Sequence, residues 1–139
     1  MSSKIDSIKI GDSAAASLIV QASDTAQALS LRPEDEFPNV FATSRMIALM
    51  EIAASRLMKP MLEEGQLSVG VSLNVRHTAA TPIGSRVEAR AIYEGPEGKL
   101  YKFRVEAFDE AGPVGAGEHT RAIVSTERLM AGASKRKAN

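Results

Sequence analysis

The chain has 139 residues, 44% of them hydrophobic and 24% charged, which predicts a single globular domain. Seventeen basic and seventeen acidic residues give a formal net charge of zero, which argues against a surface for nucleic acid or an anionic membrane. The absence of cysteine excludes disulfides, thiolate metal sites and a cysteine nucleophile. Two histidines are too few for a multi-histidine metal centre, so we expect no bound metal.

The two ends of the chain carry little structural signal. The N-terminus has no signal-peptide hydrophobic region, and no apolar run approaches the ~20 residues that cross a bilayer, so we expect a cytoplasmic protein. Residues 131–139 are small and basic and have no apolar periodicity. We predict one domain over 1–130, followed by a flexible tail over 131–139 that has nothing to bury.

The first half of the chain predicts one strand, one loop and one long helix. Residues 13–22 are a candidate strand, and 33–38 (PEDEFP) is predicted to be a loop because its prolines cannot sustain a helix. Residues 39–62 lack glycine and are rich in Ala, Leu and Met, which predicts a helix with Asn39 as N-cap and its end near Pro60. Its apolar face comprises Met46, Met50, Ala54, Leu57 and Met61, roughly opposite a basic stripe of Arg45, Arg56 and Lys59.

After Gly65 the apolar residues alternate, which is typical of strands. In the strand that follows Gly65, one face carries Leu67, Val69, Val71, Leu73 and Val75. His77 continues this alternation and is therefore expected to point towards the helix. Alternating segments at 86–93, 101–108 and near 114–125 are separated by turns at 94–99 and 109–113, which predicts an antiparallel meander. The pattern favours an α+β fold with a sheet wrapped around one helix.

Glu51 is the only carboxylate on the predicted helix. It lies about 120° from the basic stripe, at the margin of the apolar face and beside the small residues Ser44 and Ser55. A carboxylate in such a position is either a catalytic group with room for a ligand or a partly covered surface residue, and the pattern alone favours neither.

Four further residues are candidates of weaker signal. An inward-facing His77 can act as a base or a hydrogen-bond donor, although a lone histidine is more often a core residue satisfied by a carbonyl. Thr43 can cap the helix or contact a substrate. His119 and Arg121 share one face of the last strand, where Arg121 can bind a carboxylate or a phosphate, or can simply be a solvated edge charge.

Four short motifs, in this order, resemble a known family. They are FPNVFAT at 37–43, Met50-Glu51 on the helix, HTAATP at 77–82 after a strand, and EHTR at 118–121. They resemble the hot-dog thioesterases, in particular the fluoroacetyl-CoA thioesterase-like group, and the similarity covers roughly residues 37–127. The resemblance implies a homodimer with active sites at the subunit interface. It also implies hydrolysis of an acyl-CoA to a carboxylate and free CoA, with no separate cofactor.

By the same resemblance, Thr43, Glu51 and His77 correspond to the catalytic residues. Phe37 corresponds to an aromatic residue that covers the acyl pocket, Gly70 to a position whose backbone lies close to the thioester, and Arg121 to an arginine near the site. Glu51 would attack the thioester or activate a water, His77 would assist proton transfer and Thr43 would orient the groups.

One position departs from the family pattern. Where the fluoroacetyl-specific member has a second phenylalanine upstream of Phe37, this chain has Glu34. An acidic segment is less suited to sealing a small apolar acyl group, so the sequence predicts thioester hydrolysis without naming the acyl group. The alternative on the same fold is a non-catalytic protein that binds an acyl-CoA or a small acid.

Overall fold

The structure, a computed structural model, describes residues 7–137 and has the predicted α+β architecture. Its elements are β1 (Ser13–Ile19), α1 (Thr43–Met58), β2 (Gln66–His77), β3 (Arg86–Glu97), β4 (Leu100–Asp109), β5 (Gly112–Ser125) and α2 (Thr126–Lys137). The five strands form one antiparallel sheet in the order β1-β3-β4-β5-β2. Strand β2 therefore lies at an edge of this sheet, although it precedes β3 in the chain.

Helix α1 packs its apolar face on the sheet. The predicted face is confirmed, since Met46, Met50, Ala54, Leu57 and Met61 are all buried. Opposite them lie the inward side chains of β3 and β4, which are also buried: Val87, Ala89, Ala91, Phe103, Val105 and Ala107. The alanines on β3 leave room for the long methionine side chains. Shortening the fully buried Met50 to alanine would cost about 2–5 kcal/mol of stability.

Helix α1 begins later than the sequence predicts. Its N-cap is Ala42, and no side chain caps the helix there, so the assignment of Asn39 as N-cap is wrong. The cause is tertiary: the Phe41 N–H donates to the Thr81 carbonyl, and Phe41 also forms a β-bridge with Thr25. These contacts hold the backbone extended up to the residue before the helix. Its C-terminal end agrees with the prediction, since a short 3₁₀ turn that contains Pro60 follows Met58.

A bulge in β2 changes which side chains face the helix. The register with β5 shifts between Gly70 and Ser72, because two residues of β2 there oppose one residue of β5. As a result Leu67 and Val71 are 49% and 53% exposed, and their predicted inward orientation is wrong. Gly70, which the alternation placed outside, faces the helix instead. The inward phase of His77 is recovered after the bulge, since this side chain meets Thr43 of α1.

The C-terminal segment forms a helix where a flexible tail over 131–139 was expected. Helix α2 continues to Lys137, and residues 138–139, like residues 1–6 of the predicted domain, lie outside the described residues. The segment contains no proline, and Lys135, Arg136 and Lys137 in its last turn favour a helix by opposing the negative end of the helix dipole. None of its side chains is buried. Across residues 7–137, no helix has the length and apolar character that crossing a membrane requires.

Candidate active site

Thr43 and His77 form a pair where the first residue of α1 meets the last residue of β2. Thr43 Oγ1 lies 2.8 Å from His77 Nδ1. His77 Nε2 is buried and has no hydrogen-bond partner among the described residues. Burial lowers the pKa of His77 below its ordinary value, and the Ala79 backbone offsets part of this lowering. The pair therefore offers a neutral imidazole with one nitrogen oriented and the other free.

An open cleft of about 390 Å³ contains this pair. Its walls come from two segments that the sequence motifs mark, and from one residue outside them: Pro38, Val40, Phe41, Thr43, His77, Thr78, Ala79 and Ala80, together with Ala26. Phe37 does not line the cleft, and its side chain is 48% exposed. The small residues after His77 leave the cleft wide enough for a ligand.

Glu51 lies on the same helix, two turns beyond Thr43, against the bulge of β2. Its side chain is 38% exposed, so the carboxylate is neither a core group nor a fully solvated one. A Cβ atom at position 70 would overlap Glu51 Oε1, which explains why glycine stands there. The carboxylate therefore rests directly on the backbone of Gly70.

Arg121 places a buried positive charge beside this carboxylate. Its side chain is 6% exposed, and its Nη1 lies 3.5 Å from Glu51 Oε1, an ion-pair distance longer than a strong hydrogen bond. Arg121 Nε donates to Ser68 Oγ and Nη2 donates to the Ser68 carbonyl, both at 2.9 Å. Burial lowers the pKa of Arg121, and the Glu51 charge offsets part of this effect. Arg121 is therefore a fixed internal cation rather than a solvated edge charge.

His119 completes this cluster from the same strand as Arg121. Its Nδ1 lies 2.9 Å from the Ser72 carbonyl and its Nε2 lies 3.1 Å from Arg121 Nη1. A carbonyl only accepts and a guanidinium only donates, so His119 carries its proton on Nδ1 and accepts at Nε2. Burial is the main cause that lowers the pKa of His119; the positive charge of Arg121 adds to it, whereas the Ser72 carbonyl and Glu51 act in the opposite direction. The ring is fully buried and neutral.

The predicted residues thus fall into two groups within one chain. Thr43 and His77 lie together at the N-terminal end of α1, whereas Glu51, Gly70 and Arg121 lie together farther along it. Thr43 and Glu51 are separated by about 12 Å along the helix axis. Among residues 7–137, no cluster of three or more His, Cys, Asp or Glu residues is arranged to hold a metal ion.

Sequence reasoning missed Ser68 and gave His119 no role. Ser68 fell on the polar side of an alternating strand, and the bulge that turns it inward leaves no clear trace in the sequence. His119 had a detectable signal, since it lies two residues before Arg121 on one strand and therefore shares its face.

Comparison with known proteins confirms the resemblance. The family model described as fluoroacetyl-CoA-specific thioesterase matches residues 20–127. The fluoroacetyl-CoA thioesterase of Streptantibioticus cattleyicolor is 45% identical over 96 residues, which are 69% of either chain.

Two crystal structures resemble the whole fold. A mutant of the fluoroacetyl-CoA-specific thioesterase FlK in complex with fluoroacetate and CoA has 38% identity and a TM-score of 0.83, with 88% of this chain and 99% of that chain covered. A thioesterase superfamily member from Thermus thermophilus has 30% identity and a TM-score of 0.83, with 94% and 93% covered. The chain therefore belongs to the fluoroacetyl-CoA-specific thioesterase family and is a thioester hydrolase with the hot-dog fold.

Proposed function

We propose that this protein hydrolyses a short or small acyl-CoA to the carboxylate and free CoA, with Glu51 as the reacting carboxylate. The observation that carries the proposal is the position of Glu51: a part-exposed carboxylate on the Gly70 backbone, 3.5 Å from the buried cation of Arg121. A family relative has been crystallised with CoA, which supports an acyl-CoA as the substrate class.

Two routes are compatible with this carboxylate. In one, Glu51 takes a proton from a water, whose oxygen adds to the thioester carbonyl carbon; the tetrahedral intermediate then expels the CoA thiolate, which is protonated to the thiol. In the other, Glu51 attacks the carbonyl itself and releases the thiolate, and water then hydrolyses the resulting anhydride. In both, a backbone N–H near Gly70 would stabilise the negative oxygen.

His77 and Thr43 would serve the proton transfers. When the Thr43 hydroxyl donates to His77 Nδ1, the unpartnered Nε2 carries the ring proton and can deliver it to the leaving sulfur. We assign Phe37 to the cover of the acyl pocket, which would require it to move from its exposed position. Arg121 would contribute through the charge it places beside Glu51 rather than by binding the phosphates of CoA.

A homodimer would bring the two groups of residues together. Strand β2 is an edge strand, and its exposed Val71 and Leu67 favour coverage by a second subunit. If two β2 strands paired antiparallel about a two-fold axis between Leu73 and Asn74, Gly70 of one subunit would lie across from the partner subunit's His77. The site would then combine Glu51 of one subunit with the Thr43–His77 pair of the other.

Release of free thiol from a panel of acyl-CoAs tests the activity. The panel should vary the chain length and polarity of the acyl group and include fluoroacetyl-CoA as one arm. Glu51→Gln should lower kcat by about 10²–10⁴-fold, the usual contribution of a general base, while leaving the fold intact. Glu64→Gln, at an exposed glutamate beyond α1, is the matched control and should keep wild-type activity. Full activity in Glu51→Gln, or binding without turnover across the panel, would contradict the proposal.

Subunit mixing tests the shared site. Neither Glu51→Ala nor His77→Ala should be active alone. After equal mixing and exchange, half of the dimers carry one of each subunit, and one of their two sites is intact, so roughly a quarter of the wild-type activity should return. If both groups act within one chain, mixing restores nothing, and a monomer by light scattering would also refute the dimer.

A further inference from the structure

The side chain of Arg121 is held at all three of its nitrogen atoms. Ser68 accepts from Nε through its hydroxyl and from Nη2 through its carbonyl. Nη1, the atom nearest to Glu51, has one other partner in the described chain, the Nε2 atom of His119 at 3.1 Å. Because the guanidinium is planar, the two Ser68 contacts fix its plane, and His119 Nε2 is the acceptor that holds Nη1 in place beside Glu51.

We propose that His119 is a positioning residue, which acts as a neutral, Nδ1-protonated imidazole to hold Arg121 against Glu51. This proposal rests on the proposed role of Glu51, because His119 would act on the same site indirectly, through Arg121. His119 does not line the cleft, and it contacts Arg121, through which it would act on Glu51.

The bulge in β2 fixes the proton of His119. The Ser72 carbonyl, on the far side of the bulge from Gly70, accepts from Nδ1 at 2.9 Å and thereby leaves Nε2 unprotonated. No water can replace either contact without rearrangement, because the ring is fully buried. Phe103, which is also fully buried, lies beside the ring, with the two centroids 6.2 Å apart.

The arrangement fails if the ring gains a second proton. Nε2–H would then face Nη1–H, and two positive charges would lie within 3.1 Å of each other in a buried place. Among the described residues, Arg121 of β5 and Glu51 of α1 are the charged groups that act on this imidazole. Arg121 disfavours the protonated ring, whereas Glu51 favours it.

Two substitutions separate the two ends of the ring. The side-chain amide of His119→Asn can still donate to the Ser72 carbonyl but cannot reach Arg121. The longer amide of His119→Gln can accept from Arg121 with its oxygen in the place of Nε2. We expect His119→Asn to lose up to about 100-fold in kcat with little change in KM, and His119→Gln to recover most of this loss.

The control is Thr120→Val at the next residue of β5. Its hydroxyl pairs with Ser72 Oγ at 2.6 Å on the opposite face of the strand, so this variant loses one partly buried hydrogen bond without touching Arg121. It should keep wild-type kcat. The inference is overturned if His119→Asn keeps wild-type kcat, if the asparagine and glutamine variants lose it equally, or if the loss follows the unfolded fraction.

Nitrogen-15 NMR of the substrate-free protein gives a readout that needs no turnover. The wild-type ring should show a protonated Nδ1 and an unprotonated Nε2, and the Nη1 signals of Arg121 should be resolved in wild type and His119→Gln but averaged in His119→Asn. An Nε2-protonated ring would overturn the inference even in an active enzyme. If the wild type shows this ordering but hydrolyses no acyl-CoA, the proposed function fails while the hydrogen-bond arrangement stands.

Discussion

Substitution of Gly70 by alanine should separate catalysis from stability. The φ angle of Gly70 is not in the left-handed region, so an alanine backbone fits there without strain. The added Cβ would overlap Glu51 Oε1 and lie 3.2 Å from His119 Cε1. Because the carboxylate is the far end of a flexible side chain, it can move, and we expect the fold to tolerate the change.

The size of the effect follows from the required movement. Glu51 Oε1 must shift by about 1 Å to regain an ordinary van der Waals distance from the new methyl group. A misplacement of this size at a reacting group costs up to about 100-fold in rate, which corresponds to about 2.7 kcal/mol in the activation free energy. We therefore expect a loss of this order in kcat, with the melting temperature nearly unchanged.

Thiol release and thermal unfolding, measured on the same preparation, test this expectation. Gly132→Ala is the matched control, since no atom outside its own helix lies within 4 Å of the added methyl group on exposed α2. It should leave kcat unchanged and stabilise the helix by up to about 1 kcal/mol. A folded Gly70→Ala protein with wild-type kcat would refute the view that catalysis requires the Glu51 carboxylate to lie against the Gly70 backbone. A loss of activity that only follows a lower melting temperature would refute it equally.

Three further perturbations test other parts of the structure. Burial lowers the pKa of His77 below 6.5, so kcat/KM should stay constant as the pH falls to 6.5 and decline only at lower pH. A pH–rate profile measures this, and a decline that begins well above pH 6.5 would contradict a neutral His77. The Thr81 hydroxyl donates to Asp109 at 2.8 Å and is the largest cause of the lowered pKa of Asp109. The ionised Asp109 therefore stabilises the fold at pH values above its ordinary pKa of 3.8, and this contribution is lost as the pH falls through the lowered pKa. Thr81→Val should cost about 1–2 kcal/mol at neutral pH and reduce that acid-side loss, as urea unfolding at a series of pH values would show. Asp24 is buried 2.8 Å from Arg45 and links the segment before α1 to the helix. Asp24→Asn should lower the free energy of unfolding by about 1–2 kcal/mol, less than for a fully buried pair because the Arg45 side chain is 43% exposed. An unchanged melting temperature in thermal unfolding would show that the pair contributes nothing.

The elements that sequence reasoning located best are those fixed by local periodicity. Burial of the apolar stripe of α1 and of the alternating residues of β3 and β4 follows from spacings of 3.6 and 2 residues, which are visible in any one segment. The motif at 77–82 identified His77 and the family resemblance for a similar reason, since the residues of this motif are contiguous in the chain.

The errors arose where a distant partner overrode the local pattern. Asn39 is a good N-cap by type, but a hydrogen bond from the Phe41 N–H to the Thr81 carbonyl holds that stretch extended. The alternation of β2 predicts one continuous inward face through Val71, but pairing with β5 inserts a bulge there. Neither partner can be identified from the residues of the affected segment alone.

Glu51 combines both kinds of information. The sequence by itself determined its place at the margin of the helix's apolar face, because the angle between helix residues depends only on their spacing. Only the tertiary structure decided that this margin meets the Gly70 backbone and a cation held by Ser68 and His119, since these contacts join α1 to strands far away in the chain. Local sequence sets the direction of a side chain, and the packing of distant segments determines what it meets.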